Sequence, residues 1–378
     1  MTVSKAHIFF NRPFATGAES DHVQHVIASR RYSGDGVFTR NVQHFFEQKF
    51  GFGKSLLTPS CTAALEMASL LLNIQPGDEV IIPSYTFVST ANAFALRGAK
   101  IVFADSCSDH PNINPEEVAK LVSHKTKAIV VVHYGGSACD MNAILEIASG
   151  HDIPVVEDAA HCFSATHSGK FLGTFGNIST MSFHETKNVT CGEGGLICIN
   201  DKSLYQRAEI IREKGTNRKA FERKETDRYS WVDLGSSYLM SEFSAAILSA
   251  QLERAVEVTR KRTMLCERYQ ANLLPLMNEG IIGLSPGISD NGHLFYITCK
   301  SLEERTALTK FLYENGIDAV FHYLSLHNSP FFQSCHDGRE LANSDRFMFC
   351  LLRLPLYFDL ELSDIDRVCQ VIYKFYRR

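Results

Sequence analysis

The chain has no apolar run long enough to cross a bilayer: stretches such as Ala128 to Val132 fall far short of the roughly 20 residues a spanning helix needs. It has no basic block either. Lysine and arginine are interspersed with acids, as in Arg207 to Lys224, and the formal net charge is only -4. Such a balance implies no nucleic-acid partner and reads as a solvated face. Eleven cysteines are present, but none forms a C-x-x-C pair or the short, even spacing of a disulfide framework or zinc site, so no metal is expected. Reduced, mostly buried thiols are the expectation. No basic stretch, apolar stretch and small-residue cleavage site follow one another at the N-terminus. Internal repeats and low-complexity tracts are absent too. By elimination the expectation is a cytoplasmic protein with no membrane partner.

Between Ser55 and Ile199, short β-branched apolar runs alternate with longer segments of helical period, which argues for a parallel sheet covered by helices on both faces. The strands expected are Ser55 to Leu57, Glu79 to Ile82, Lys100 to Phe103, Ala128 to Val132, Pro154 to Glu157 and Thr180 to Phe183. Good helix formers fill Thr62 to Leu72, which ends before the turn Pro76-Gly77-Asp78. A second helix is expected over Asp201 to Lys214, capped by its aspartate and stopped by Gly215. Thr216 to Trp231 reads as a loop or partner-facing excursion. From about Leu252 long helices and a few strands take over, Leu294 to Cys299 and Ala319 to His322 being the clearest, as in a smaller α+β lobe. The division expected is a large domain over 1–250 and a small one over 251–378.

The chemistry lies at the ends of the expected strands. Lys187 stands in Ser182-Phe183-His184-Glu185-Thr186-Lys187, after an apolar strand and before Gly192-Glu193-Gly194-Gly195. A lysine desolvated there is suited to form an imine with an aldehyde, although most lysines are surface residues. Upstream, the apolar strand Val155-Val156 ends in Glu157-Asp158-Ala159-Ala160-His161. An aspartate delivered at a strand end is the partner a pyridinium nitrogen needs, while a helix cap is its plainer reading. Thr58 to Leu65 opens a helix whose free amides suit a phosphate, or whose serine and threonines are simple caps. Pro83 to Thr90 brings Phe87, either core or a ring lying against a pyridine face. In open α/β sheets ligands bind along that edge, and together these groups point to a pyridoxal phosphate enzyme.

The order S-F-x-x-x-K-x-x-T-x-G-E-G-G, preceded by E-D-A-A-H and P-S-Y-T-F-V-S-T, resembles the sugar nucleotide aminotransferases of the DegT/DnrJ/EryC1/StrS group. The resemblance runs from Gly34-Asp35-Gly36 to the H-Y-x-x-L-H of His322 to His327 and to Arg353-Leu354-Pro355-Leu356. It implies the fold type I α/β architecture of pyridoxal 5′-phosphate enzymes: a mixed, mostly parallel sheet sandwiched by helices, plus a smaller α+β C-terminal domain. It also implies Lys187 as the residue joined to the cofactor and later its proton carrier, with Asp158 on the pyridine nitrogen. Thr62, Ala63 and Ser182 are implied at the phosphate, Phe87 on the ring and His161 near the ring hydroxyl. Ser237 stands where most of the group has an asparagine that reaches the neighbouring subunit's phosphate, in a homodimer with shared active sites. His322, Tyr323 and His327 are candidates for sugar or pyrophosphate contacts, or structural residues.

Within the group, S-F-H-E-T-K-N, R-E-K-G-T-N-R and G-S-S-Y-L-M-S resemble members that move an amino group from L-glutamate to carbon 4 of dTDP-4-keto-6-deoxyglucose for surface polysaccharide synthesis. The expected product has the galactose configuration. Amination with the glucose configuration, amination at carbon 3, and a turnover-dead cofactor-binding regulator are the alternatives. Relatives that remove a hydroxyl without a cofactor-linked lysine carry histidine at that position, so lysine at 187 argues for transamination.

Overall fold

The computed structural model describes residues 7–377. Two helices open it, α1 (Glu19–Ser29) and α2 (Val37–Phe50). The start of α2 is built on a buried anion from far along the chain. Glu242, 1% exposed, accepts hydrogen bonds from the N–H groups of Gly36 (2.9 Å), Phe38 (3.0 Å) and Thr39 (3.1 Å), and from the Thr39 hydroxyl. The first turn of a helix leaves such donors free, and its dipole favours a negative charge there. Gly36 is glycine for this reason: a Cβ at that position would lie 2.3 Å from the Glu242 carboxylate.

Strands and helices then alternate: β1 (Lys54–Thr58), α3 (Cys61–Leu71), β2 (Glu79–Pro83), α4 (Val88–Ala95), β3 (Lys100–Ala104), α5 (Pro115–Leu121), β4 (Thr126–Val132), α6 (Met141–Gly150) and β5 (Val155–Asp158). A small hairpin, β6 (Thr166–His167) and β7 (Lys170–Phe171), precedes β8 (Ile178–Ser182) and β9 (Gly195–Ile199). Side chains of Ser60, Asn114 and Asp140 cap α3, α5 and α6 by accepting from amides of the first turn.

Seven strands form one sheet in the order β1-β9-β8-β5-β4-β2-β3. β8, β5, β4, β2 and β3 are parallel neighbours, whereas β9 is antiparallel to both β8 and β1. The parallel sheet expected over residues 55–199 is therefore corrected at one strand. Gly195–Ile199 had not been marked as a strand at all; it returns from β8 through the loop 183–194, and such a direct return can only give antiparallel pairing.

Both faces of the sheet are buried, and alternate residues serve opposite faces. Leu56, Val80, Ile82, Val130, Val156 and Ile178 pack with α3 and α4 in one core. Ile81, Val102, Ile129, Val131 and Val155 pack on the other face against α5 and α6, where Leu57, Met181 and Leu196 meet α2. The same parity assigns the polar residues at the strand ends. Asp158 shares the α3/α4 face with Val156, and Glu157 is turned away with Val155.

The helix expected over 201–214 runs Tyr205–Arg212 as α7, after a 3-10 turn begun by Asp201, whose carboxylate accepts from the Ser203 amide. In the excursion that follows, the short α8 (Arg218–Glu222) forms and Trp231 is left 77% exposed. Helices α9 (Glu242–Glu253) and α10 (Ala255–Asn278) lead to a four-stranded antiparallel sheet. Its strands are β10 (Gly283–Leu284), β11 (Tyr296–Thr298), β12 (Val320–Phe321) and β13 (Leu351–Arg353), in the order β10-β11-β13-β12. With α11 (Leu302–Glu314), α12 (Ala342–Cys350) and α13 (Leu362–Tyr376) they complete the fold. Between the two sheets lies a tyrosine-rich core in which Tyr85 and Tyr134 meet Tyr296, Phe347 and Leu351. No helix among the described residues is long and apolar enough to cross a membrane.

Replacing Glu242 by alanine strands the donors at the head of α2 and should cost about 3 kcal/mol. Denaturant unfolding of Glu242→Ala measures this, and a loss under about 1 kcal/mol would contradict the role given to that carboxylate.

Candidate active site

The C-terminal ends of the parallel strands open on a cavity of about 650 Å³, a size suited to a small organic ligand. Thr62, Phe87, Asp158, His161, Ser182, Lys187, His322 and Tyr323 all line it. They come from the ends of, or the segments that follow, β1, β2, β5, β8 and β12, and parity along the strands selects which face is used: Val132, Asp158 and Ser182 line the cavity, all on the α3/α4 side of the sheet.

Asp158 is buried among groups that fix it. The Thr90 hydroxyl donates to Oδ2 at 2.7 Å and the Ala160 amide to Oδ1 at 3.1 Å. Thr90 lies in the first turn of α4 and Thr86 just ahead of that helix, their hydroxyls 3.0 Å apart. Burial nonetheless pushes the Asp158 carboxyl above its ordinary range, because two neutral donors do not replace the water an anion loses. The position calls for a cation. Glu157, its neighbour, is spent on structure: the amides of Gly173, Phe175 and Gly176 donate to it at 2.6–2.8 Å, and His133 Nε2 lies 2.9 Å away. His133 Nδ1 accepts from the Cys139 amide at 3.1 Å, so the Nε2 proton is the one given to Glu157.

Lys187 stands on the loop between β8 and β9 and has no hydrogen bond or ion pair from its amine among the described residues. Burial lowers its pKa to about 8, with Arg353 nearby acting in the same direction. At the head of α3, the Ala63 amide is taken by Ser60 Oγ at 3.0 Å, and Ala63 does not line the cavity. The amides of Cys61 and Thr62 make no hydrogen bond among the described residues. Thr62 Oγ1 is 2.8 Å from Ser89 Oγ. Gly195 lets β9 pass this turn, since a Cβ there would be 2.3 Å from the Ser60 carbonyl.

His161 accepts at Nδ1 from the Gly135 amide at 3.1 Å, which leaves the proton on Nε2, 3.3 Å from the Tyr323 hydroxyl. Burial, then the charges of Lys187 and Arg353, hold this imidazole far below its usual pKa, and it is neutral. His293 stacks on it with ring centroids 4.3 Å apart. His322 accepts at Nε2 from Arg353 at 3.2 Å and meets the Tyr134 hydroxyl through Nδ1 at 3.0 Å.

Two other anticipated residues lie outside this cavity. His327, a candidate for substrate contact, is 4% exposed; Ser84 Oγ is 2.7 Å from its Nδ1 and Asp345 is 3.6 Å from its Nε2. It ties the segment after β12 to the end of β2, where Leu326 also donates to the Ser84 carbonyl at 2.9 Å. Ser237 is exposed on a separate charged cleft with Asp35, Lys214 and Lys219. Conversely, His293 and Arg353 line the cavity without having been singled out as site residues. Arg353 entered only as part of the Arg353-Leu354-Pro355-Leu356 motif, with no role given, and His293 carried no signal; β13 brings Arg353 to the cavity that holds Lys187.

Pyridoxal 5′-phosphate fits what is present. Free amides and hydroxyls at the head of α3 suit its phosphate. Asp158, a costly lone anion, suits a protonated ring nitrogen, the unpartnered Lys187 an aldehyde, and the exposed Phe87 ring a flat aromatic face.

The profile of the DegT/DnrJ/EryC1/StrS aminotransferase family matches residues 15–373. The chain is similar to GDP-perosamine synthase from Escherichia coli O157:H7, with 29% identity over 369 residues covering 97% of each chain. Among solved structures it is similar to the aminotransferase TlmJ from Streptoalloteichus hindustanus, at 30% identity and a TM-score of 0.90, covering 98% of this chain and 99% of that one. It is also similar to NtdA from Bacillus subtilis with the bound cofactor PMP, at 25% identity and a TM-score of 0.86, covering 96% of this chain and 82% of that one.

The Lys187 amine is cationic below about pH 8 and free to react above it. Borohydride trapping of pyridoxal phosphate on the apoprotein should therefore label the Lys187 peptide, at a rate that rises with pH through a midpoint near 8. A midpoint near that of an ordinary lysine, or label on another lysine, contradicts this reading of the site.

Proposed function

The chain belongs to the DegT/DnrJ/EryC1/StrS aminotransferase family, and from that premise we propose that it moves an amino group from L-glutamate to carbon 4 of dTDP-4-keto-6-deoxyglucose, giving dTDP-4-amino-4,6-dideoxygalactose. The observation that carries the reaction type is one cavity holding an unpartnered lysine of lowered pKa beside a buried aspartate. Similarity to a GDP-perosamine synthase supports a nucleotide sugar as acceptor. The segments S-F-H-E-T-K-N, R-E-K-G-T-N-R and G-S-S-Y-L-M-S support the particular sugar.

Bound pyridoxal 5′-phosphate supplies an aldehyde to carry the amino group and a pyridine ring that draws electrons from the reacting carbon. Asp158 keeps a proton on the ring nitrogen, its oxygens aimed by Thr90 and Ala160. Lys187 Nζ, neutral in roughly half the molecules near pH 8, would take the proton from the donor's Cα and hold it for return at the cofactor side. In the acceptor half it moves a proton the other way, onto carbon 4 of the sugar. Thr62, Ser182 and the Cys61 and Thr62 amides hold the phosphate, with Ala63 packing behind them. Phe87 covers one ring face, and His161 Nε2–H reaches the ring hydroxyl. His322 and Tyr323 close the side where the sugar enters.

In this proposal two copies of the chain form a homodimer in which Ser237 of each reaches the phosphate in the other. Its exposure outside its own chain's cavity and the uncovered apolar side chains of Trp231, Val232 and Leu234 close by support that arrangement.

Incubation with pyridoxal phosphate, L-glutamate and dTDP-4-keto-6-deoxyglucose should give a product with the mass of the amino sugar and small proton couplings at carbon 4. Large couplings there mean the glucose configuration, and absence of product removes this sugar. Lys187→Ala should abolish turnover with the fold intact. Asp158→Asn should retain cofactor yet lose about 100-fold or more in rate, since a neutral amide cannot hold the ring proton; near-normal turnover in that variant would place the pyridine partner elsewhere.

A further inference from the structure

His293 lies on the loop between β10 and β11 and lines the cavity that holds Lys187, its side chain buried. Its main chain is held on both sides. Buried Arg262 donates to its carbonyl at 2.6 Å, and its own amide donates to Asn291 Oδ1 at 3.1 Å. Asn291 Nδ2 donates in turn to the carbonyls of His161 and Phe163 at 2.7 and 3.1 Å. One asparagine therefore sets the backbones of the two stacked histidines.

The His293 ring can carry its proton in one place only. Asn188, next to Lys187 in the chain, is buried, and its Nδ2 donates to the Asn291 carbonyl at 2.7 Å. Its Oδ1 is then the atom 2.8 Å from His293 Nδ1, and an amide oxygen needs a donor. The proton sits on Nδ1, and Nε2 keeps a bare lone pair. That nitrogen makes no hydrogen bond among the described residues and is not one of their buried, unpartnered polar atoms, so it opens on the cavity. Burial, then His161 and the charges of Lys187 and Arg262, hold the ring well below its usual pKa, so the lone pair stays bare.

An acceptor of this kind selects among the cavity's visitors by what each can donate. Pyridoxal 5′-phosphate brings one N–H, on its ring, and the reading above gives it to Asp158. The Lys187 amine makes no hydrogen bond to Nε2, although both groups line the cavity. L-Glutamate can donate only from its amine, which is spent in the bond to the cofactor, and its carboxylates offer lone pairs alone. A sugar differs, because its hydroxyls donate. In a 6-deoxy sugar aminated at carbon 4, one flanking carbon bears the methyl group and the other, carbon 3, bears a hydroxyl.

We propose that His293 Nε2 accepts a hydrogen bond from the hydroxyl at carbon 3 of the acceptor sugar and so helps to present carbon 4 to the cofactor. The contact serves one substrate and not the other, since the lone pair attracts a hydroxyl and repels a carboxylate. A sugar without that hydroxyl leaves a buried acceptor unpaired and is disfavoured.

The inference rests on the acceptor half of the proposed function. Its test uses the cofactor-loaded protein and two unreactive nucleotide sugars, dTDP-4,6-dideoxyglucose and dTDP-3,4,6-trideoxyglucose, which differ only in the hydroxyl at carbon 3. Calorimetric titration should show the unaltered protein binding the first about tenfold more tightly, the worth of one hydrogen bond to a buried acceptor. His293→Asn keeps an N–H for Asn188 and has nothing at the place of Nε2, so it should bind the two sugars alike, within about twofold; a packing defect would weaken both and leave their ratio unchanged. Equal affinity of the unaltered protein for the two sugars overturns the proposal, and so does an undiminished preference in His293→Asn. Failure of the unaltered protein to bind either sugar overturns it together with the acceptor named above. A preference lost in His293→Asn, with no amino sugar formed from the keto sugar, leaves His293 in place and removes only the reaction.

Discussion

Burial of both faces of the seven-stranded sheet leaves polar side chains only one place to act, the edge where the parallel strands end. Along β5 the period of two sends Val156 and Asp158 toward α3 and α4, and Val155 and Glu157 toward α5 and α6. Two adjacent carboxylates thereby acquire unrelated duties. Glu157 gathers three amides of the 173–176 turn and the His133 ring, and Asp158 stands in the cavity with two neutral donors. A slip of one residue in β5 would exchange them, and the many partners of Glu157 are what forbid the slip.

The charges within the cavity follow from the same burial. Burial costs the Lys187 amine affinity for a proton, raises that of the Asp158 carboxyl, and holds the rings of His161, His293 and His322 well below their usual pKa, so that all three stay neutral. Backbone and side-chain partners fix the tautomers of His161 and His322. The cavity therefore presents two basic side chains, Lys187 and Arg353, the carboxylate of Asp158 inside and that of Glu193 at the rim, and a row of uncharged donors and acceptors.

Much of this was legible in the sequence because the strands that deliver the groups are short, β-branched and followed at once by the chemistry. β2, β3, β4 and β5 lie within two residues of their expected bounds, and Thr62, Phe87, Asp158, His161, Ser182 and Lys187 converge on one cavity. What escaped had no local signal. Gly195–Ile199 is a brief apolar run after glycines, and its direction depends on pairing with β1 and β8. Arg353 and His293 reach the site by tertiary packing of the second sheet. His327 was a candidate for substrate contact or for a structural role, and its contacts with Ser84 and Asp345 are structural. The Ala63 amide was lost to Ser60, since a serine ahead of a helix can cap it instead of leaving its donors for a phosphate.

β1 joins the sheet only through β9, pairing Lys54 with Ile199 and Thr58 with Gly195. β8 and β9, by contrast, are close in sequence and can pair early, bringing Lys187 with them. The head of α3, which follows β1, reaches Lys187 only when that distant contact closes, and closing a long loop is the slow part of folding a sheet. The two halves of the cavity are thus joined through one long-range pairing, and the head of α3 is set beside the reactive amine only where β1 meets β9.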